Sequence, residues 1–240
     1  MGRLVGRIGP VMMLLAAAAS PACLMPPARV VQAVHAAETA PAVEAEKNAG
    51  DVVAPSKPTG TLISDGSQPT VMNLHPGGGW FIFHDPTPGG TMYPPTTDIY
   101  TTGKGMPEGV IHSTGSGFID WGGGIGVNFQ GAEALTPIDA SEMKGISFRA
   151  WGKTAMHFGL ATKATMPEFN QCKKCYDHFA VDIYLTDKPT VYTFTWSDLR
   201  PAGWGTPKPT FDPKTIVGVN FTSKGAVPWD FTIDDLKFIQ

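Results

Sequence analysis

Several aromatic side chains stand in glycine-rich or polar surroundings that do not require their burial. Trp121 and Trp204 lie in glycine-rich segments, and Trp151 shares the polar phase of its strand with Ser147 and Arg149. Exposed rings give a large contact area at low entropic cost, which suits the apolar C–H faces of sugars. Seven residues are therefore candidate platforms: Trp80, Tyr93, Trp121, Trp151, Tyr176, Trp204 and Trp229. The alternative for each of them is a place in the core, which is favoured for Trp80 and also for Trp196.

Planar polar side chains suited to sugar hydroxyls occur on the same predicted strands. These candidates are Arg149, His157, Asp182 and Tyr184. Asp182 and Tyr184 are two residues apart, so they share one face of a strand. Together with Trp121, Trp151, Trp204 and Tyr176 they form the predicted ligand-binding set.

The acidic residues do not form a recognisable catalytic pair. Most of them fall in predicted turns, and no Glu lies within a predicted strand. The segment 113–117 lacks the strand-to-helix context that a G-x-S-x-G nucleophile needs. We therefore expect a protein that is not an enzyme, with a hydrolase or lyase as the less favoured alternative.

Three cysteines bear on the cellular compartment and on local structure. Cys172 and Cys175 are separated by two residues, and in an oxidising compartment they most simply form a disulfide. A zinc site is disfavoured because structural zinc takes four ligands and no second cysteine pair exists. Cys23 is the odd cysteine and lies near the end of an apolar stretch.

The N-terminus has the pattern of an export signal. Arg3 and Arg7 precede the short apolar run 11–19, which is too short to span a bilayer. We predict a signal peptide over 1–23. Two outcomes stay open, lipidation at Cys23 or cleavage as late as residue 37. Both predict a secreted or cell-envelope protein, whose contact with a membrane is limited to the lipid anchor of the first outcome.

The rest of the chain divides into two parts. Residues 24–60 are rich in Ala and Pro and without aromatics, so we predict a disordered linker. Residues 61–240 hold about eight to ten runs of β-branched and aromatic residues between turns, which predicts an all-β, antiparallel β-sandwich as a single domain. The net charge of −3 gives no electrostatic basis for binding nucleic acid, and we expect a monomer.

An ordered set of segments carries a resemblance to a known family. The set runs from 78–85 through 112–118, 121–126, 139–151, 172–179 and 196–205 to the closing strand 231–238. It resembles the jelly-roll carbohydrate-binding modules and the galactose-binding-like sandwiches of secreted bacterial proteins. The resemblance implies a jelly roll that binds polysaccharide or another glycan without catalysis, commonly on one concave sheet face.

The same resemblance implies a structural Ca²⁺ held between the first and last strands. Asp65 begins the domain, and Asp234 and Asp235 lie near its end, so we expect Asp65 and Asp235 as ligands. A hydrogen-bonded turn aspartate is the alternative for Asp65. For the whole domain, the alternative to carbohydrate binding is an envelope protein that uses the sandwich for protein–protein contact.

Overall fold

The computed structural model describes residues 55–68, 70–74, 77–95, 109–131, 135–223 and 227–240. The predicted signal peptide, Cys23 and most of the predicted linker lie outside these residues. None of the described residues belongs to a helix long and apolar enough to cross a membrane.

The described residues contain eleven β-strands and four short 3-10 helices, with no α-helix. The strands are β1 (Leu62–Ser64), β2 (Trp80–His84), β3 (Thr91–Tyr93), β4 (Ile111–Ser116), β5 (Gly123–Asn128), β6 (Gly145–Gly152), β7 (Ala155–Thr162), β8 (Phe179–Tyr184), β9 (Thr190–Thr195), β10 (Ile216–Ser223) and β11 (Trp229–Ile239). The 3-10 helices are Lys163–Thr165, Pro167–Phe169, Trp196–Asp198 and Pro213–Thr215.

These strands form two antiparallel sheets. The front sheet has the order β2-β5-β10-β7-β8. The rear sheet has the order β3-β4-β11-β6-β9, and β1 pairs with the second half of β11. Their inward side chains alternate with outward ones along each strand, as in a packed sandwich. The all-β antiparallel sandwich predicted from the sequence is therefore confirmed.

The core is built largely from aromatic and β-branched side chains. Phe148 of the rear sheet lies 5.0 Å from Phe221 and 4.8 Å from Phe158 of the front sheet, measured between ring centroids. Trp80 is fully buried and donates its indole N–H to the Ser64 hydroxyl at 3.1 Å. Trp229 is also buried and donates to the Ser113 hydroxyl at 3.1 Å. These two candidate platforms are thus core residues, and for Trp229 the expectation of a platform was wrong.

The fold begins before the predicted boundary at residue 61. Ser56 forms a β-bridge with Ile138, and the amide of Thr59 donates to the Asn73 carbonyl at 2.9 Å. These backbone bonds attach the last predicted linker residues to the sandwich.

Candidate functional site

The outer face of the front sheet, called here the front face, is organised in two rows that the strand register defines. The first row runs across the five strands through Phe81, Gly126, Asn220, Gly159 and Ala180. The second row runs in parallel through Phe83, Gly124, Thr222, His157 and Asp182. Each row therefore has a phenylalanine at the β2 margin and small side chains in the middle.

The glycines in the middle are required by close packing. A Cβ atom on Gly126 would lie 2.4 Å from the Phe81 ring and 2.5 Å from the Asn220 side-chain oxygen. On Gly124 it would lie 2.1 Å from the carbonyl oxygen of Phe221. The Phe81 ring and the Asn220 side chain therefore lie over Gly126. The strip of small side chains between the β2 margin and the β7–β8 margin is called here the trough.

Aromatic rings form the margin of the trough at β2. The rings of Phe83 and Trp121 are stacked, with centroids 6.1 Å apart and planes inclined by 24°. Phe81 lies next to Phe83 at 5.8 Å. Trp121 keeps 45% of its surface exposed, so one face of this cluster is accessible to a ligand.

Asp85 holds the loop that carries Trp121. Its carboxylate is buried and accepts the backbone N–H groups of Gly122 at 2.8 Å, Thr87 at 2.9 Å and Asp120 at 3.2 Å. Burial alone would raise the pKa of Asp85, but the hydrogen bonds from Thr87, Gly122 and Asp120 outweigh it and bring the pKa to about 2. The Asp85 carboxylate is therefore charged at neutral pH. Trp121 lies in sequence between Asp120 and Gly122, whose backbone N–H groups this carboxylate accepts.

Polar groups form the opposite margin, on β7 and β8. Nδ1 of His157 lies 2.8 Å from a carboxylate oxygen of Asp182. Tyr184, the next outward residue on β8, is 78% exposed. The sequence placed Asp182 and Tyr184 on one strand face, and the structure adds His157 beside them.

His178 extends this margin at the start of β8. Nδ1 of His178 lies 2.8 Å from the hydroxyl oxygen of Thr165, and the ring contacts that of Tyr176 edge-on, with centroids 6.1 Å apart. Burial lowers the pKa of His178 to about 4, and repulsion from His157 adds to the effect against the attraction of Asp177. This imidazole is neutral at pH 7.

Tyr176 and Trp204 lie in two loops that are bonded to each other. The amide of Lys173 donates to the Thr206 carbonyl at 2.6 Å, and Lys174 and Thr206 form a β-bridge. The buried carboxylate of Asp177 accepts the N–H groups of Ala202, Gly203 and Gly205, at 2.8 to 2.9 Å. The predicted disulfide between Cys172 and Cys175 is present and closes the first loop. Both aromatic side chains remain exposed.

Arg149 and Trp151 lie elsewhere. Both are on β6, whose outward side chains belong to the outer face of the rear sheet, called here the rear face. Trp121, which stacks on a front-sheet residue, is therefore on the opposite side of the sandwich from Trp151. The eight predicted ligand-binding residues do not form one groove, because sheet membership depends on pairing between distant strands.

The predicted calcium ligands are close in the strand register but have other partners. Ser64 is opposite Leu236, which places Asp65 beside Asp235. Asp65 accepts the amide and hydroxyl of Ser67 within a turn, while Asp234 and Asp235 both face the Arg149 guanidinium. The described residues contain no group of three or more His, Cys, Asp or Glu side chains placed to hold a metal. Since Ca²⁺ takes six to eight oxygen ligands, carbonyls and water would have to supply most of them.

The sequence reasoning missed four residues of the trough: Phe81, Phe83, Asn220 and Thr222. The run 80–83 is apolar throughout, so alternation alone does not tell which pair faces outward. The available signal was the Gly-x-Gly pattern at 124 and 126, since glycines alternating in a central strand mark the close approach of neighbouring side chains.

Comparisons with known proteins agree with the architecture. Neither a protein-family model nor a curated protein matches the chain. Among solved structures, a family 11 carbohydrate-binding module from a cellulosomal cellulase of Clostridium thermocellum is similar over 77% of this chain and 96% of that one, with 17% identity and a TM-score of 0.50. A family 11 module of the same organism, solved in complex with a β-1,3-1,4-mixed-linked tetrasaccharide, is similar over 67% of this chain and 88% of that one, at 16% identity and a TM-score of 0.44. The family 30 module of a cellulosomal cellulase from that organism covers 78% of this chain and 94% of its own, at 12% identity and a TM-score of 0.38. The chain has the jelly-roll β-sandwich fold seen in the first of these modules.

Proposed function

We propose that the protein binds a polysaccharide or oligosaccharide in the trough of the front face, without catalysis. The observation that carries this proposal is the arrangement of the two margins. The Phe83–Trp121 stack stands on one side of a glycine floor, and the His157–Asp182 pair stands on the other.

The width and chemistry of the trough suit a sugar chain. Three strand spacings separate β2 from β7, which is about 14 Å at the usual distance between paired strands. The aromatic margin offers ring faces to apolar C–H groups. The other margin, together with the Asn220 amide and the Thr222 hydroxyl on the floor, offers donors and acceptors to hydroxyl groups.

The charges on the front face favour a neutral glycan. Among the described residues, no Lys or Arg occupies an outward position on its five strands, and the outward carboxylate, Asp182, is paired with His157. Arg200 pairs with Ala180 beyond the β8 edge, so the positive charge nearest in the strand register lies at the side of the face and not between its margins. The sandwich fold, shared with a module named for carbohydrate binding, is consistent with this assignment.

The arrangement gives no support to glycoside hydrolysis on this face. That chemistry uses two carboxylates about 5 to 10 Å apart. The five described front strands provide one outward carboxylate, Asp182.

Affinity electrophoresis through gels containing soluble β-glucan, xylan or mannan tests the proposal. We expect retardation in at least one gel, and a loss of at least about tenfold in affinity, or ~1.4 kcal/mol, for Trp121→Ala. Ile119→Ala is the matched control, because Ile119 is an exposed apolar residue of the same loop. Migration unchanged in every gel would overturn the proposal.

We further propose that the protein is exported and acts as a monomer at the cell envelope or outside the cell. The supporting feature is the signal-like N-terminus with Cys23 at its end. Cell fractionation of the full chain and its Cys23→Ser variant separates the two open forms. A lipid-anchored protein moves from the membrane to the soluble fraction on substitution, whereas a released protein is soluble in both forms.

A further inference from the structure

The rear face carries a second group of aromatic and polar side chains. Outward residues on β3, β4, β11 and β6 form two adjoining rows. One row runs through Tyr93, Thr114 and Asp230, and the other runs through His112, Thr232 and Trp151. Tyr93 and Trp151 thus stand on strands that are three spacings apart, with hydroxyl, imidazole and carboxylate groups between them.

These side chains are in contact and border a depression. Nε2 of His112 lies 2.8 Å from a carboxylate oxygen of Asp230, and the Tyr93 and His112 rings are 6.2 Å apart. Tyr93 is 41% exposed. Beside it lies a depression of about 400 Å³, whose lining includes Thr91, Tyr93, Thr114, Ser116, Trp229 and Asp230.

The layout repeats the elements of the front face on the opposite side of the molecule. Each face has an exposed aromatic ring near one side, Trp121 on the front face and Tyr93 on the rear face, and polar side chains on the strands beyond it. Each also carries a His–Asp pair at 2.8 Å. No residue is shared between the two faces, since their strands belong to different sheets.

We propose that the rear face is a second, independent binding site for a glycan chain, and that one molecule can bridge two chains. The class of ligand rests on the proposed function of the front face. Because the two sites lie on opposite sides of the sandwich, one straight chain does not reach both. Binding at both sites joins separate chains, and the gain in avidity applies to a network of polysaccharide rather than to short oligosaccharides.

Calorimetric titration of the full chain with cellotetraose, xylotetraose and mannotetraose measures the number of sites. We expect two sites per molecule in the wild type for the sugar that binds. One site remains in Trp121→Ala, which alters the front face, and one remains in Trp151→Ala or Asp230→Asn, which alter the rear face. Val191→Ala is the control for the rear variants, because Val191 is an exposed neighbour of Arg149 on that sheet and lies outside the rows. An unchanged thermal midpoint verifies that each variant is folded.

Bridging is measured separately, as precipitation or viscosity of the matching soluble polysaccharide. The wild type and Val191→Ala increase the precipitation or viscosity. Every variant altered on one face loses this increase, although it is still retarded in the affinity gel that contains the same polysaccharide. A single site in the wild type that disappears in Trp121→Ala overturns the second site and leaves the front-face function intact. A dimer that forms without sugar and is lost in Trp151→Ala also overturns it, because the rear face is then an interface between copies. Absence of all binding in the wild type overturns the front-face function itself.

Discussion

The carboxylate of Asp85 accepts the backbone N–H of Gly122 at 2.8 Å, one residue after Trp121. The backbone is bonded in the other direction as well, since the amide of Asp85 donates to the Gly122 carbonyl at 2.7 Å. The position of the Trp121 ring over Phe83 therefore depends on a buried charge in a different segment of the chain.

Asp85→Asn should loosen the Trp121 loop. The amide has one oxygen acceptor in place of two, and its NH₂ group faces backbone donors, which leaves buried N–H groups without partners. We expect the thermal midpoint to fall by several degrees and the tryptophan fluorescence of the protein to change. Asp187→Asn, in an exposed turn, is the control. An unchanged midpoint in Asp85→Asn would show that the carboxylate does not anchor the loop.

Acid should weaken the same anchor. The folded pKa of Asp85, about 2, is below its usual value of 3.8, so its contribution to stability is fully present above pH 4. That contribution is lost as the pH falls from about 4 to about 2. The difference in unfolding free energy between wild type and Asp85→Asn, followed by urea titration, should shrink across this window; a constant difference would argue against it.

Protonation of His178 should reduce the stability of the fold in a higher pH range than protonation of Asp85 does. Its folded pKa, about 4, is below the usual 6.5, so the unfolded chain binds the proton first and stability falls as the pH drops through this range. The loss of unfolding free energy amounts to at most ~3.4 kcal/mol. His178→Gln, which can still bond to Thr165, should flatten the dependence between pH 6.5 and 4. If the unfolding free energy of His178→Gln fell as steeply with pH as that of the wild type, the pH dependence would belong to other groups.

Removing the disulfide should have a limited effect on stability. Cys172 and Cys175 are three residues apart in sequence, and closing so short a loop stabilises a fold by about 2 kcal/mol at most. We expect the double Ser variant to fold, with faster proteolysis between residues 172 and 178 as the main change. Treating the wild type with a reductant should reproduce it. Global unfolding on reduction would contradict this expectation.

A structural Ca²⁺ between Asp65 and Asp235 stays a prediction. Its support is the register that places the two residues side by side; the Arg149 guanidinium already compensates the charge of Asp235. If the ion binds, excess CaCl₂ raises the thermal midpoint relative to EDTA, and Asp65→Asn removes the difference. Equal midpoints in CaCl₂ and EDTA would exclude a stabilising ion.

The sequence predicted the positions of the strands better than it predicted which sheet of the sandwich each strand joins. Alternation in 145–151 correctly separated the buried Ile146 and Phe148 from Arg149 and Trp151. It could not say that β6 belongs to the rear sheet, because β6 pairs with β11, which is some 80 residues away in the sequence. The short strand Thr91–Tyr93 was missed as well, since its neighbours are the turn-forming residues Gly90 and Pro94.

The aspartate anchors escaped prediction for a related reason. The sequence placed Asp85 in a turn and gave Asp177 no role, and their hydrogen bonds reach backbone groups 35 to 37 and 25 to 28 positions away. No pattern in the neighbouring sequence predicts a contact over such a distance. The exposed tryptophans themselves were recognisable, because glycines surround both of them.

Both anchors hold the aromatic loops through backbone N–H groups, and this leaves the site open to evolutionary change. Asp85 and Asp177 hold their loops whatever side chains stand at positions 121 and 204. The constraint falls on the glycines, since Gly122 and Gly203 have φ angles of 87° and 93°, and a Cβ on Gly205 would lie 2.9 Å from Cβ of Asp177. Selection can therefore exchange the recognition residues one at a time and obtain new sugar preferences while the framework that presents them stays the same.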